Sequence, residues 1–149
     1  MNNKKMLVVI ANASEALFLD GTDLRNKDLK EFLKLEHPES RKKNSDLVTD
    51  RPGRVQLDGT SDSSYESKRT PKDVEAEHFA LLLVEKVYDH CNINKIERLV
   101  IAAPTHFYNF FTKHWHHHNP NLQLEHIAKD YTKFTVKELT TTLRDQLIV

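Results

Sequence analysis

Apolar residues along the chain fall into short blocks of two different periods, with one long polar stretch between them. Met6-Leu7-Val8-Val9-Ile10-Ala11 is a run rich in β-branched residues, and this composition over so short a length predicts a strand. After Asn12-Ala13-Ser14 a second run, Glu15 to Leu19, is closed by Asp20-Gly21, so the two blocks together predict a β-hairpin. Leu29 to Glu36 partly alternates apolar and charged residues until His37-Pro38 stops it. That block reads as a third strand, with a short helix as the alternative.

Glu39 to Arg69 is a different kind of sequence, nearly all Ser, Asp, Lys, Arg, Gly and Asn, with Leu47, Val48, Val55, Leu57 and Tyr65 as isolated hydrophobes. It cannot supply a layer of the core. A polar connection of about 30 residues far exceeds the usual length inside a compact domain, which marks it as functional or as disordered until something binds it.

Beyond it the period becomes helical. Thr70 is placed to cap a helix that Pro71 opens and Asp73 favours, and Ala76, Ala80, Leu83, Val84, Val87 and Cys91 follow on one stripe to about His90. Arg98 to Pro104 is a continuous apolar run, predicting a strand covered on both faces and central in the sheet. Thr105 is expected to cap a second helix carrying Phe107, Phe110, Phe111 and Trp115 inward. Leu122 to Ala128 predicts another strand. Thr135 and Glu138 form a capping box that opens a last helix burying Leu139, Leu143 and Leu147. The order predicts a single α/β domain spanning residues 1–149, a mixed β-sheet flanked by α-helices.

Composition narrows the function. Lys plus Arg and Asp plus Glu stand at 22 each, so no global positive field draws the protein to nucleic acid or anionic lipid, and any RNA contact must be local. Cys91 has no second thiol to pair with and reads as a small buried hydrophobe. The opening Met1-Asn2-Asn3-Lys4-Lys5 runs into an apolar stretch too short for a secretory leader, and no stretch approaches the roughly 18–20 residues that span a bilayer. A cytoplasmic protein without membrane contact is expected.

Candidate chemistry concentrates in the polar stretch. Arg51 and Arg54 bracket the turn-forming pair Pro52-Gly53, and Arg41, Lys42, Lys43, Lys68 and Arg69 share the segment. Guanidinium forks and a basic loop suit an RNA phosphate backbone. The bland alternative is a soluble loop, its charge partly cancelled by Asp46, Asp50, Asp58, Asp62 and Glu66. His114, His116, His117 and His118 surround Trp115, and the spacing of His114 and His118 would put two imidazoles on one helix face. With no carboxylate or cysteine to complete a metal set, they read instead as a solvated helix end, so neither metal nor cofactor is expected. Nuclease chemistry needs converging acidic residues that neither central strand offers. Glu77, His78 and Asp130 could pair for acid–base work, though such residues more often cap, bridge or face water.

Several short motifs, in this order, resemble the bacterial host-attachment protein family. They are His37-Pro38-Glu39-Ser40-Arg41, Asp50-Arg51-Pro52-Gly53-Arg54, Pro71-Lys72-Asp73 with Glu77-His78-Phe79-Ala80, Leu99 to Pro104 with Phe107, and Lys129-Asp130-Tyr131-Thr132. The family's fold is similar to the middle domain of archaeo-eukaryotic release factors, itself ribonuclease H-like. In release factors the loop before the long helix carries a Gly-Gly-Gln tripeptide that promotes hydrolysis of the peptidyl-tRNA ester. Here the nearest approach is Gly53 with Gln56, two residues intervening between them. The resemblance implies an RNA- or ribosome-binding module that meets the ribosome or tRNA through residues 39–70, its role in host attachment being indirect. Gln56 is the catalytic candidate if the chain is instead an ester hydrolase, and a protein-interaction domain without nucleic acid is the further alternative.

Overall fold

The computed structural model describes residues 4–37, 70–116 and 119–148. Five strands form one mixed sheet: β1 (Met6–Ala11), β2 (Glu15–Asp20), β3 (Lys30–Glu36), β4 (Arg98–Ala102) and β5 (Gln123–Ile127). Their spatial order is β3-β2-β1-β4-β5. The expected hairpin forms, with Val9 opposite Phe18, and β3 adds to it antiparallel. β4 pairs parallel with β1, and β5 parallel with β4.

The Leu29–Glu36 block is thus a strand and not a helix. β4 is buried on both faces as its sequence predicts, but the middle position belongs to β1. The hairpin extends the sheet on one side of β1 while the crossover strands extend it on the other.

Three helices cover the sheet: α1 (Pro71–Asn94), α2 (Thr105–His114) and α3 (Val136–Gln146). The connections β3-α1-β4 and β4-α2-β5 step across the sheet in the same direction. Right-handed crossovers therefore lay α1 and α2 on the same face. There Phe79, Leu83, Phe107 and Phe111 pack with Leu7, Val9, Phe18 and Ile101. On the opposite face α3 buries Leu139 and Leu143 against Val8, Ile10, Leu19 and Val100. Each such side chain contributes about 1.5–3 kcal/mol by leaving water.

Thr70 accepts from the Asp73 amide at 3.1 Å, and the Asp73 carboxylate returns the bond, so α1 starts in a full capping box with Pro71 in its first turn. Its predicted stripe is buried apart from Val84, which is half-buried, and the stripe also includes Phe79, which lies between the expected positions. Lys95 ends α1 in the left-handed region at φ 53°. Thr105 does not cap α2. Pro104 takes the extended N-cap conformation, so Thr105 is already the first helical residue and no side chain caps that end. α2 stops at His114, because Trp115 is extended. Thr135 and Glu138 cap α3 reciprocally, as predicted.

Candidate functional site

The parallel strands β1, β4 and β5, and β3 on the far side of β2, all end at one edge of the sheet, here called the carboxyl edge. In sheets of this kind the loops beyond the strand ends are the natural place for a ligand. Five elements meet there: the β1–β2 turn, the end of β3, the first turns of α1, the start of α2 and the β5–α3 connection.

Asn12 organises the first of these. Its carbonyl oxygen accepts from the amides of Ser14 at 2.8 Å and Glu15 at 3.0 Å, closing the hairpin turn. Its amide donates to the carboxylate of Asp130 at 3.0 Å and the hydroxyl of Thr132 at 3.2 Å. The Lys129–Thr132 motif is thereby tied across the sheet to β1. Burial pushes the Asp130 carboxyl up, but the Thr132 hydroxyl and amide, the Asn12 amide and Lys133 together outweigh it and hold the group below its usual range.

His37 closes the end of β3. Its amide donates to the Ser14 carbonyl at 2.8 Å, its ring stacks on Phe79, and Nε2 donates to Glu75 of α1 at 3.0 Å. His106 of α2 reaches Asp73 at 2.9 Å, and His114 reaches Glu77 at 2.5 Å. Asp73, Glu75 and Glu77 in the first two turns of α1 thus each meet a histidine from another element.

Depth separates the two signs of charge along this edge. The Lys133 side chain is 85% exposed and its partner Glu15 only 6%; Lys113 is 59% exposed and its partner Glu77 only 10%. His106 and His78 likewise lie outside Asp73 and Glu75. Lys72 and Lys129 are exposed on the same edge. Glu36 and Asp130 are exposed here as well, so the ordering by depth is a property of these pairs.

Among the predicted positions, His37, Pro71, Lys72, Lys129 and Asp130 converge on this edge. Pro38, Arg41, Asp50, Arg51, Pro52, Gly53, Arg54, Gln56, Lys68 and Arg69 lie outside the described residues. The contacts of Glu77, His78 and Asp130 lead to different partners: Glu77 turns to His114 and Lys113, His78 to Glu75, and Asp130 to Asn12 and Thr132. His114 is half-buried against Glu77 instead of sitting in a solvated run, His116 is exposed, and His117 and His118 lie outside the described residues. Among the described residues no three His, Cys, Asp or Glu side chains are grouped to hold a metal. Burial pushes the Cys91 thiol up to about 12, which makes it inert.

Sequence reasoning missed Asn12, Glu15, His106, Lys113 and Lys133. A polar residue directly after a central strand was a usable signal for Asn12; the others are recognised only by what they touch.

A family model described as "Protein required for attachment to host cells" matches residues 7–143. The chain belongs to this host-attachment family. The match runs from β1 into α3 and so takes in every strand and the whole carboxyl edge of the host-attachment fold. No curated protein matches the chain. No helix among the described residues is long and apolar enough to cross a membrane.

Proposed function

We propose that the carboxyl edge docks a polyanion, and that this host-attachment-family chain is a release-factor-like RNA- or ribosome-binding module of the cytoplasm whose attachment role is indirect. The sorting of charge by depth carries the reading. Glu15 and Glu77 sit inside their ion pairs, while Lys133, Lys129 and Lys72 face outward at this edge and Lys113 at the far end of α2. Phosphate contacts need accessible cations, and the buried carboxylates of Glu15 and Glu77 hold Lys133 and Lys113 in place while leaving their side chains largely exposed. Residues 38–69, with Arg41, Arg51, Arg54, Lys68 and Arg69, leave this edge after His37 and rejoin it at Thr70, which would bring a second set of cations to the same ligand. Binding alone accounts for these features, and the proposal includes no hydrolytic step.

Co-sedimentation with ribosomes and with free tRNA across a salt series tests it. Replacing Lys113, Lys129 and Lys133 together by Glu is expected to weaken binding about a hundredfold at low salt and to flatten its salt dependence. Deleting residues 42–68 should weaken it further. Wild-type protein that binds neither ribosomes nor tRNA at low salt would overturn the proposal, and salt-independent capture of a protein would favour a protein partner.

A further inference from the structure

The described residues include seven exposed large hydrophobics, and five of them, Phe32, Leu33, Leu81, Leu82 and Ile93, lie on β3 or on α1. β3 is the terminal strand of the described sheet. On α1, Glu75, Leu82, Lys86 and Ile93 follow at intervals of seven, four and seven, so they share one stripe. Glu75 touches His37 at the end of β3, which places this stripe on the flank above the terminal strand of the described sheet. His90, near the same flank, stacks on Phe32 at 4.8 Å. Apolar side chains thus continue from the strand edge onto the helix beside it. Patches of this kind mark interaction surfaces.

We infer that the β3 edge and the adjoining α1 flank are the surface through which two copies of this chain pair about a two-fold axis. The strand's own sequence, Lys30-Glu31-Phe32-Leu33-Lys34-Leu35-Glu36, supplies the complementarity. Phe18 lies opposite Leu33 and Leu19 opposite Glu31, so Phe32 is a bulged extra residue. Leu33 shares the α1 face with Phe18, and Phe32 joins it there with its ring 6.2 Å from that of Phe18. Glu31 and Lys34, opposite Leu19 and Leu17, share the α3 face although three residues apart.

An antiparallel pairing of β3 with its copy that sets Phe32 opposite Leu33 therefore sets Glu31 opposite Lys34, and symmetry makes each contact twice. A slip of one residue would set Phe32 opposite Lys34 and lose both matches. A bulge and edge lysines disfavour pairing with an arbitrary strand, whereas the order of signs here is self-complementary and favours a copy of the same strand. The pairing leaves the carboxyl edges pointing in opposite directions and both accessible.

Sedimentation of the full chain over a concentration series should show a reversible dimer. Glu31→Lys, at an exposed position, faces lysine twice and is expected to weaken the dimer roughly tenfold at low salt. Register has its own readout. An equimolar mixture of Glu31→Cys and Lys34→Cys chains should form a disulfide-linked dimer on oxidation faster than either variant alone, with native Cys91 buried and silent. A wild-type chain that stays monomeric at every concentration overturns the inference, as do an unchanged dimer in Glu31→Lys and cross-linking that is equally fast in the separate variants.

Discussion

The two edges of the sheet arrange their ion pairs in opposite senses. At the amino edge, where β4 begins, Arg98 is 15% exposed while its partner Glu125 is 36% exposed, and Arg144 is 34% exposed against 75% for Asp28. The cation lies inside and acts as a staple. Arg98 bonds Glu125 through Nε and Nη2 and also donates to the Ile148 carbonyl at 2.8 Å, joining β4, β5 and the chain after α3. Arg144 donates to the Leu24 carbonyl at 2.8 Å and to Asp28, fixing α3 to the turn before β3. At the carboxyl edge the carboxylates of Glu15 and Glu77 take the inner positions, and Lys133 and Lys113 project. A chain of zero formal charge can therefore present a cationic surface, because depth, and not number, decides which sign a ligand meets.

The contrast predicts that cations at the amino edge matter for stability and those at the carboxyl edge for binding. Arg98→Met should show the largest effect on stability. It removes a guanidinium that serves two partners and leaves the Ile148 carbonyl and Glu125 without it, at a cost of about 2 kcal/mol after allowing for the exposure of Glu125. The midpoint of thermal unfolding should fall accordingly, while tRNA binding, measured beside wild type, stays unchanged. Equal stability of the two proteins would mean that the inner cation is not a staple.

How far this division could be read from the sequence depends on the range of the interactions involved. Local signals were sufficient for the fold: the β-branched run of β1, the Thr70-Pro71 start of α1 and the Thr135–Glu138 box each act within a few residues, and each appears where expected. Thr105 failed because Pro104 competes for the same cap and the chain's path after β4 decides between them. The carboxyl edge was legible only in part. His37, Lys72 and Asp130 belong to recognisable motifs, but Asn12 meets Asp130 across 118 residues and Lys133 meets Glu15 across the same separation. No periodicity in one sequence records such a pair. The depth ordering of charge is a property of the packed sheet, so composition gave only its sum.

Asp130 offers a smaller and more specific test, through pH. Its carboxyl titrates below the ordinary range in the folded protein, so the folded state favours the charged form. The stabilisation is present above the usual carboxylate value and is lost as pH falls through the lowered value in the native state. Asp130→Asn should be less stable than wild type at neutral pH, and the gap should close on acidification below the ordinary carboxylate range. Chemical denaturation over an acid series measures this directly. A gap that persists unchanged in acid would show that the side chain's shape, and not its charge, holds the β5–α3 connection to Asn12.

Lys133→Ala should change stability least, and that is what makes it informative. Its ammonium lies 3.2 Å from Glu15 but is almost wholly in water, and an exposed pair of this kind contributes less than about 1 kcal/mol. Glu15 keeps Lys34 at 3.6 Å, so the buried carboxylate is not left alone. Thermal unfolding should therefore be close to wild type. Binding should respond differently: if Lys133 meets a phosphate, its removal lowers the salt slope by roughly 0.7–0.9, according to whether the nucleic acid is single- or double-stranded. A variant that loses stability but keeps the slope would place Lys133 with Arg98 as a staple, and the two edges would no longer differ in kind.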